Sequence, residues 1–269
     1  MKTDILKTLK NADVYLIGGQ SNALGVSKCA ELPPEDACYV SKTVLLYQSG
    51  AFSGARAIDP EVCGRFMYVR PGLGFKRDTF GLELGMARES EGRDCILLKY
   101  ACDGSSLFRE WRPPSAGETD LPLGGGFTWE RGLHGHFAGF IEHVRKGLGI
   151  LQENGVEARI MGMAWEQGNT DAIYETSANG YCDTLIRLVK DIRAELKAPG
   201  LPFAIGRLKA DYSIMPFADA VRAAQHTAAN SLKNIALVEK DDLSAFDKWH
   251  FRAPDEVELG RRYARALRK

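Results

Sequence analysis

The sequence predicts an α/β protein of three layers, with helices packed on both faces of a central, mostly parallel sheet. Two observations support this fold class. Short aliphatic and β-branched runs alternate with longer segments of helical periodicity along the chain, which is the pattern of a parallel sheet. Residues 95–101 form an almost continuous apolar run, as a strand buried on both faces does. No linker or repeat divides the chain, so we expect a single domain over residues 1–269.

Apolar runs of strand length, bounded by Gly, Pro or polar residues, predict the strands. The first run ends at Gly18 and Gly19, where the missing side chains permit a sharp turn. Residues 1–12 precede it as a short helix or arm. In chain order, the predicted strands are residues 13–19, 43–47, 95–101, 158–165, 202–208 and 235–238.

Apolar residues that recur every three to four positions predict the helices. Phe137, Phe140 and Val144 illustrate the spacing, because all three fall on one face of a helix. The predicted helices cover residues 80–91, 134–153, 177–197, 217–232 and 254–268. Residues 22–38 and the connection up to about residue 79 lack this pattern, and we expect loops there.

The composition excludes several classes of protein. The 35 Lys and Arg residues balance 35 Asp and Glu residues, which argues against a nucleic-acid partner or an anionic membrane surface. No apolar run approaches the roughly 18–20 residues that cross a bilayer. The N-terminus lacks the apolar core of a signal peptide, so we expect a cytoplasmic protein, or a secreted or periplasmic one if a leader has been removed.

The six cysteines contain no C-x-x-C pair, so we expect no structural zinc site. Cys29, Cys38 and Cys63 lie in loop-like sequence. A disulfide among them would form only in an oxidising compartment.

Polar clusters follow four of the predicted strands, at residues 19–22, 100–106, 165–171 and 247–250. Parallel strands that alternate with helices all end at the same edge of the sheet. We therefore expect the four clusters to converge there, where open α/β sheets bind their ligands.

These clusters contain the side chains of serine-hydrolase chemistry. Ser21 can attack an acyl carbonyl once His250, a suitable base near neutral pH, removes its proton. Asp247 lies three residues before His250 and can hold its imidazole in one tautomer. Alternatively, Ser21 and Asp247 only cap turns or helices, and Asp103 is a rival orienting acid.

The chemistry also needs donors for an oxyanion. The backbone N–H groups of Ser21 and Gly104 are candidates, since both follow predicted strands. The side-chain amide of Asn169 or of Gln167 could be a further donor.

In combination, these motifs cover nearly the whole chain. They are Gly19-Gln-Ser-Asn22, Phe80-Gly-Leu-Glu-Leu-Gly85, Lys99-Tyr-Ala-Cys-Asp-Gly-Ser-Ser-Leu107, Asp247-Lys-Trp-His-Phe251, and a helix with Gly260, Arg262 and Ala264. They resemble the SGNH/GDSL hydrolase superfamily, and more closely carbohydrate esterase family 6 and the sialic-acid-specific acetylesterase-like proteins. Leu82 replaces a Pro of the family pattern, and Asp103 replaces a Gly. The resemblance implies a flavodoxin-like sandwich with a five-stranded sheet and a Ser21–His250–Asp247 triad that works without cofactor or metal.

One position departs from the family in a way that bears on the mechanism. The family motif Trp-x-Gln-Gly-Glu-x-Asp is Trp165-Glu-Gln-Gly-Asn-Thr-Asp171 here, so Asn169 replaces a Glu that has been proposed as the triad acid in parts of the family. An amide cannot serve as that carboxylate. We therefore expect Asp247 to orient His250 and Asn169 to donate to the oxyanion.

The resemblance implies hydrolysis of acetyl esters on small-molecule or oligosaccharide carbohydrates. Rigid aromatic side chains suit the faces of sugars, and Trp111 and Trp129 in the longest connection could form such a wall. Arg109 could bind a carboxylate, as in an acidic sugar. Gln20 and Asn22, which flank Ser21, complete the expected substrate-binding residues.

Two other interpretations stay open at this point. The chain could be an SGNH esterase or thioesterase for short acyl chains that are not linked to sugars. It could also be a carbohydrate-binding protein that has kept the fold without catalysis, which the Asn169 exchange would favour. Neither the identity of the sugar nor the oligomeric state follows from the pattern.

Overall fold

The computed structural model describes residues 4–52, 56–121 and 135–268. Its strands are β1 (Asn11–Gly19), β2 (Ser27–Lys28), β3 (Val44–Phe52), β4 (Arg56–Ala57), β5 (Phe66–Tyr68), β6 (Thr79–Phe80), β7 (Cys95–Cys102), β8 (Glu157–Glu166), β9 (Phe203–Gly206) and β10 (Ile235–Val238). Its α-helices are α1 (Ser21–Leu24), α2 (Pro34–Ala37), α3 (Leu82–Ser90), α4 (Gly135–Glu153), α5 (Glu175–Glu195), α6 (Ala218–Ser231) and α7 (Ala253–Ala266).

The main sheet has the strand order β10-β9-β8-β1-β7-β3-β4, and β5 pairs with β3. The strands from β10 to β3 are parallel, whereas β4 and β5 run antiparallel to β3. The expected five-stranded sheet is therefore too small, because six strands are parallel and two short ones extend the edge. β4 and β5 are only two and three residues long, too short to produce a period-2 pattern in the sequence.

Two apolar clusters fill the two sides of the sheet. One contains Leu16 of β1 with residues from α4, α5 and α6, and the other contains Ile17 with residues from α1, α3 and α7. Adjacent residues of a strand point to opposite faces, so the two clusters belong to opposite sides. The predicted three-layer α/β/α architecture is confirmed.

The predicted helices agree with the structure to within a few residues. The expected loop over residues 22–38 is not continuous, because it also includes two single helical turns, α1 and α2. At the N-terminus, Asp4–Leu6 form one 3₁₀ turn. None of the described helices combines the length and the apolar character of a bilayer-spanning segment.

β1 lies in the middle of the sheet, between β7 and β8. Its last residue, Gly19, stands opposite Ala101 of β7 and Glu166 of β8. Three of the four polar clusters therefore begin at the same level of one sheet edge.

Candidate active site

The turn that carries Ser21 depends on the absence of a side chain at Gly19. Gly19 has φ +141°, and a Cβ atom there would lie 2.0 Å from the carbonyl oxygen of Glu166. Only glycine allows this approach. The next residue, Gln20, donates its backbone N–H to the same oxygen at 3.0 Å, and Ser21 then begins α1.

A buried ion pair supports α1 from below. Lys99 of β7 and Glu83 of α3 are fully buried and pair at 2.8 Å. The Lys99 ammonium also donates to the carbonyl oxygens of Leu24 at 3.1 Å and Leu73 at 3.2 Å. Glu83 belongs to the motif Phe80–Gly85, and Lys99 belongs to the motif Lys99–Leu107. The two motifs thus meet in this ion pair, and Lys99 connects them to the turn that carries Ser21.

Asp247 and His250 form a compact unit on the loop after β10. Asp247 Oδ2 lies 2.8 Å from Nδ1 of His250, and Oδ1 accepts the backbone N–H groups of Trp249 and His250, each at 2.7 Å. Partial burial raises the pKa of Asp247, but these hydrogen bonds lower it more, so the net pKa lies below the ordinary value. The carboxylate is therefore ionised and holds the imidazole ring in one orientation.

Two long-range hydrogen bonds attach this loop to α1 and β2, the elements that follow β1 in the chain. The Asn22 side-chain amide donates to the Trp249 carbonyl oxygen at 3.1 Å. The Ser27 hydroxyl donates to the Phe251 carbonyl oxygen at 2.8 Å. Asn22 thus links the segment after Ser21 to the residue before His250.

A cavity of about 310 Å³ brings Ser21, His250, Gly104 and Asn169 together. Its other lining residues are Gln20, Asp103, Thr170, Ile173, Tyr174 and Trp249. Asp247 does not line the cavity. No hydrogen bond joins Ser21 to His250 within the described residues, and such bonds often tighten only when a substrate is bound.

Gln167 has a different place from the one predicted. Its amide N–H groups donate to Ser105 O at 3.1 Å and to Asp171 Oδ2 at 2.6 Å, and its oxygen accepts from Tyr181. Both donors are thus used away from the cavity. Gln167 and Asp171 instead fix the segment after β7 that carries Gly104, because Asp171 also accepts the Ser106 hydroxyl at 2.7 Å.

The expected aromatic wall does not form from Trp111. Its side chain is fully buried, stacks edge-on against Trp165 at 5.0 Å between ring centroids, and donates to Ser105 Oγ at 2.8 Å. The expectation is wrong for Trp111 because this aromatic ring packs in the core, where it buries a large apolar surface. Arg109 is half-buried and does not line the cavity. Trp129 lies outside the described residues.

Sequence reasoning missed the apolar part of the cavity wall, which Ile173, Tyr174 and Trp249 supply. Trp249 directly precedes His250, and the other two follow the Asn169 motif by a few positions. Their position close to the motifs in the sequence is the signal that could have identified them as cavity-lining residues. Among the described residues, no group of three or more His, Cys, Asp or Glu side chains could hold a metal ion.

Comparison with models of protein families gives a match over most of the chain. The model of a family described as "Carbohydrate esterase, sialic acid-specific acetylesterase" matches residues 11–269. No protein of curated function matches the chain in sequence.

Several solved structures share the fold. NanS has 15% identity and a TM-score of 0.63, with 96% of this chain and 97% of that chain covered. A carbohydrate acetylesterase from Xanthomonas citri has 20% identity and a TM-score of 0.62, with 95% of this chain and 55% of that chain covered. A protein from Arabidopsis thaliana has 21% identity and a TM-score of 0.61, with 96% of this chain and 98% of that chain covered.

Proposed function

The chain belongs to the sialic acid-specific acetylesterase family of carbohydrate esterases and is a carboxylic ester hydrolase; from this premise we propose that it removes acetyl groups from O-acetylated carbohydrates through an acyl-enzyme on Ser21. The observation that carries the proposal is the cavity that Ser21, His250, Gly104 and Asn169 line together. These four residues come from four separate segments of the chain, so their convergence is a property of the fold.

In the proposed mechanism, Ser21 Oγ attacks the acetyl carbonyl carbon while His250 takes the serine proton. Asp247 keeps Nδ1 of His250 protonated, so that Nε2 is the atom that accepts the proton. The tetrahedral intermediate then collapses, and His250 returns the proton to the departing sugar oxygen. Water, activated by the same imidazole, attacks the acetyl-serine and releases acetate.

The backbone N–H groups of Ser21 and Gly104 and the amide of Asn169 are the proposed donors to the oxyanion. Asn169 is only 6% exposed, and its amide contacts Met215 Sδ at 3.6 Å. This weak contact leaves an N–H available to the cavity. The side-chain N–H groups of Gln167 already donate to Ser105 and Asp171. Gln167 is therefore not among the proposed oxyanion donors.

Acetate release from acetylated xylan, O-acetylated sialic acids, simple acetylated sugars and p-nitrophenyl acetate tests the proposal. We expect turnover of at least one sugar ester, and none above background with Ser21→Ala. Hydrolysis of p-nitrophenyl acetate but of none of the sugar esters would contradict a carbohydrate substrate. Full activity of Ser21→Ala would contradict an acyl-enzyme on Ser21.

A further inference from the structure

A second cavity, of about 340 Å³, lies beside the one that Ser21 lines, and both are lined by Asn169 and Trp249. We infer that this second cavity is a carbohydrate subsite, which holds the sugar residue next to the acetylated one. The inference rests on the proposed function. Both volumes lie near the lower end of the range for ligand pockets, roughly 300–1,000 Å³, so each cavity suits one small ring.

The loop that carries His250 connects the two cavities. Asp247 and Lys248 line the second cavity, His250 lines the first, and Trp249 lines both. A ligand whose ester reaches His250 therefore has its next residue beside Lys248. Two sugar residues joined by one glycosidic bond fit this arrangement.

Tyr212 supplies an aromatic face at the second cavity. Its side chain is among the large apolar ones left exposed, at 59%, yet its hydroxyl donates to Asp219 Oδ1 at 2.7 Å. The ring is thus held in place without being buried. A fixed, exposed aromatic ring can stack on the C–H face of a sugar and loses little conformational freedom in doing so.

Two lysines supply hydrogen-bond donors. The Lys209 ammonium donates to the Asp241 carbonyl oxygen at 2.6 Å, and the Lys248 ammonium donates to Ser213 Oγ at 3.2 Å. An ammonium group has three N–H donors. Each lysine therefore keeps donors for sugar hydroxyls after making its bond to the protein.

Asp211 supplies a carboxylate acceptor. The hydroxyl and backbone N–H of Ser213 donate to its Oδ1 at 2.6 and 2.9 Å, and these bonds hold the pKa of Asp211 below its ordinary value. Asp211 and Asp247 balance the two lysines, and Lys240, which also lines the cavity, is paired with Glu166. Mixed donors and acceptors without excess charge favour an uncharged sugar, whose hydroxyls both donate and accept.

The test compares substrates that differ by one neighbouring sugar. We would measure kcat/KM for O-acetylated sialic acid against O-acetylated sialylgalactose, and for O-acetylated xylose against O-acetylated xylobiose. For each pair that the enzyme hydrolyses, we expect the kcat/KM of the glycoside to be about tenfold higher than that of the monosaccharide. A tenfold difference corresponds to the contribution of one good aromatic contact. Tyr212→Ala should bring this ratio close to one, whereas Tyr212→Phe, which keeps the ring and loses only its bond to Asp219, should preserve most of it.

Tyr68→Ala, at an exposed tyrosine on β5, is the matched control and should leave the ratio unchanged. A ratio near one in every pair that is turned over would overturn the subsite and leave the proposed function standing. The same conclusion follows if Tyr212→Ala keeps the full ratio, or if Tyr212→Phe loses as much as Tyr212→Ala. Absence of turnover for every sugar ester would overturn the proposed function, and the subsite with it.

Discussion

The two halves of the proposed triad are held in place by different means. Ser21 is 3% exposed and begins a helical turn of buried residues at the end of a strand paired on both sides. The Asp247 side chain is 40% exposed, and its hydrogen bonds to His250 and Trp249 stay within one loop. The proposed nucleophile is thus part of the core, whereas the proposed acid and base lie on a partly exposed loop, where the His250 side chain is 20% exposed.

This difference separates stability from catalysis. A change beneath Ser21 removes contacts of the core and should alter both the free energy of unfolding and the rate. A change at Asp247 or His250 should alter the rate almost alone, because the hydrogen bonds between them stay within the loop. The following predictions test this division, from the largest expected effect to the smallest.

His250→Ala should lower kcat by roughly 10⁴–10⁶-fold, since His250 is the one histidine among the residues that line the cavity with Ser21. The melting temperature should change little, because the His250 ring is held mainly by its own loop. Steady-state kinetics and thermal unfolding of the same preparation check both parts. A variant that keeps its activity would remove His250 from the mechanism.

Asp247→Asn should lower kcat by roughly 10³–10⁴-fold, because an amide neither fixes the required tautomer of the neutral imidazole nor stabilises the imidazolium that forms when His250 takes the proton. The fold should persist, since the amide oxygen can still accept the two backbone N–H groups. Kinetics and circular dichroism measure the two effects. An unaffected rate would refute Asp247 as the orienting acid.

Lys99→Met should cost about 3–5 kcal/mol of unfolding free energy, because it leaves Glu83 charged and buried. It should also slow the reaction, since Leu24 at the end of α1 loses its donor. Denaturant unfolding and kcat are the measurements.

The control for Lys99→Met is Arg77→Met, which breaks a surface pair with Asp59 and should cost far less unfolding free energy, because solvent screens surface charges. Equal losses for Lys99→Met and Arg77→Met would contradict a supporting role for the buried pair. In Lys99→Met/Glu83→Gln, part of the stability should return while the rate stays low.

Asn169→Ala should lower kcat by roughly 10²–10³-fold with a small change in KM, as expected for a donor that acts on the transition state. Met215, its contact in the core, should tolerate the smaller side chain. Initial-rate kinetics over a range of substrate concentrations separates the two constants. A change confined to KM would move Asn169 from the oxyanion site to substrate binding.

Glu256→Gln should stabilise the protein at pH 8 by more than about 1 kcal/mol, because the amide needs no proton, whereas the buried Glu256 carboxyl must hold one that the unfolded carboxyl has lost. Both Glu256 carboxyl oxygens are buried, without a hydrogen-bond partner among the described residues. Burial, together with the charges of Glu166 and Glu83, raises the pKa of Glu256 well above its ordinary value.

The pH dependence of this stability gain follows from the proton that Glu256 keeps in the folded state. The Glu256 contribution to stability is fully present below about pH 4, where the unfolded carboxyl is also protonated, and is lost as the pH rises. The gain from Glu256→Gln should therefore shrink between pH 8 and pH 4 in denaturant titrations. A gain that does not depend on pH would contradict the protonated state of Glu256.

The sequence predicted the parallel strands well because their apolar runs are continuous. β7 was expected at 95–101 and covers Cys95–Cys102, and β10 was expected at 235–238 and covers Ile235–Val238. β4 and β5 escaped prediction because pairing with β3, rather than any local pattern, creates them. Local propensity carries no information about such partners.

The polar residues after the strands were predictable as a group, because parallel strands end together. The direction of a single side chain was not predictable, as Gln167 and Trp111 demonstrate. Both belong to suggestive segments, and both are directed into the protein by partners far away in sequence: Gln167 by Tyr181, and Trp111 by Trp165. Whether a side chain in a long connection is exposed depends on tertiary packing, which cannot be inferred from a single sequence.

The hydrogen bond from Asn22 to Trp249 joins residues 227 positions apart. Ser21 and its proposed base His250 therefore come together only when the loop after β10 docks on the turn after β1. Hydrolytic activity should accordingly require this docking in addition to formation of the sheet itself.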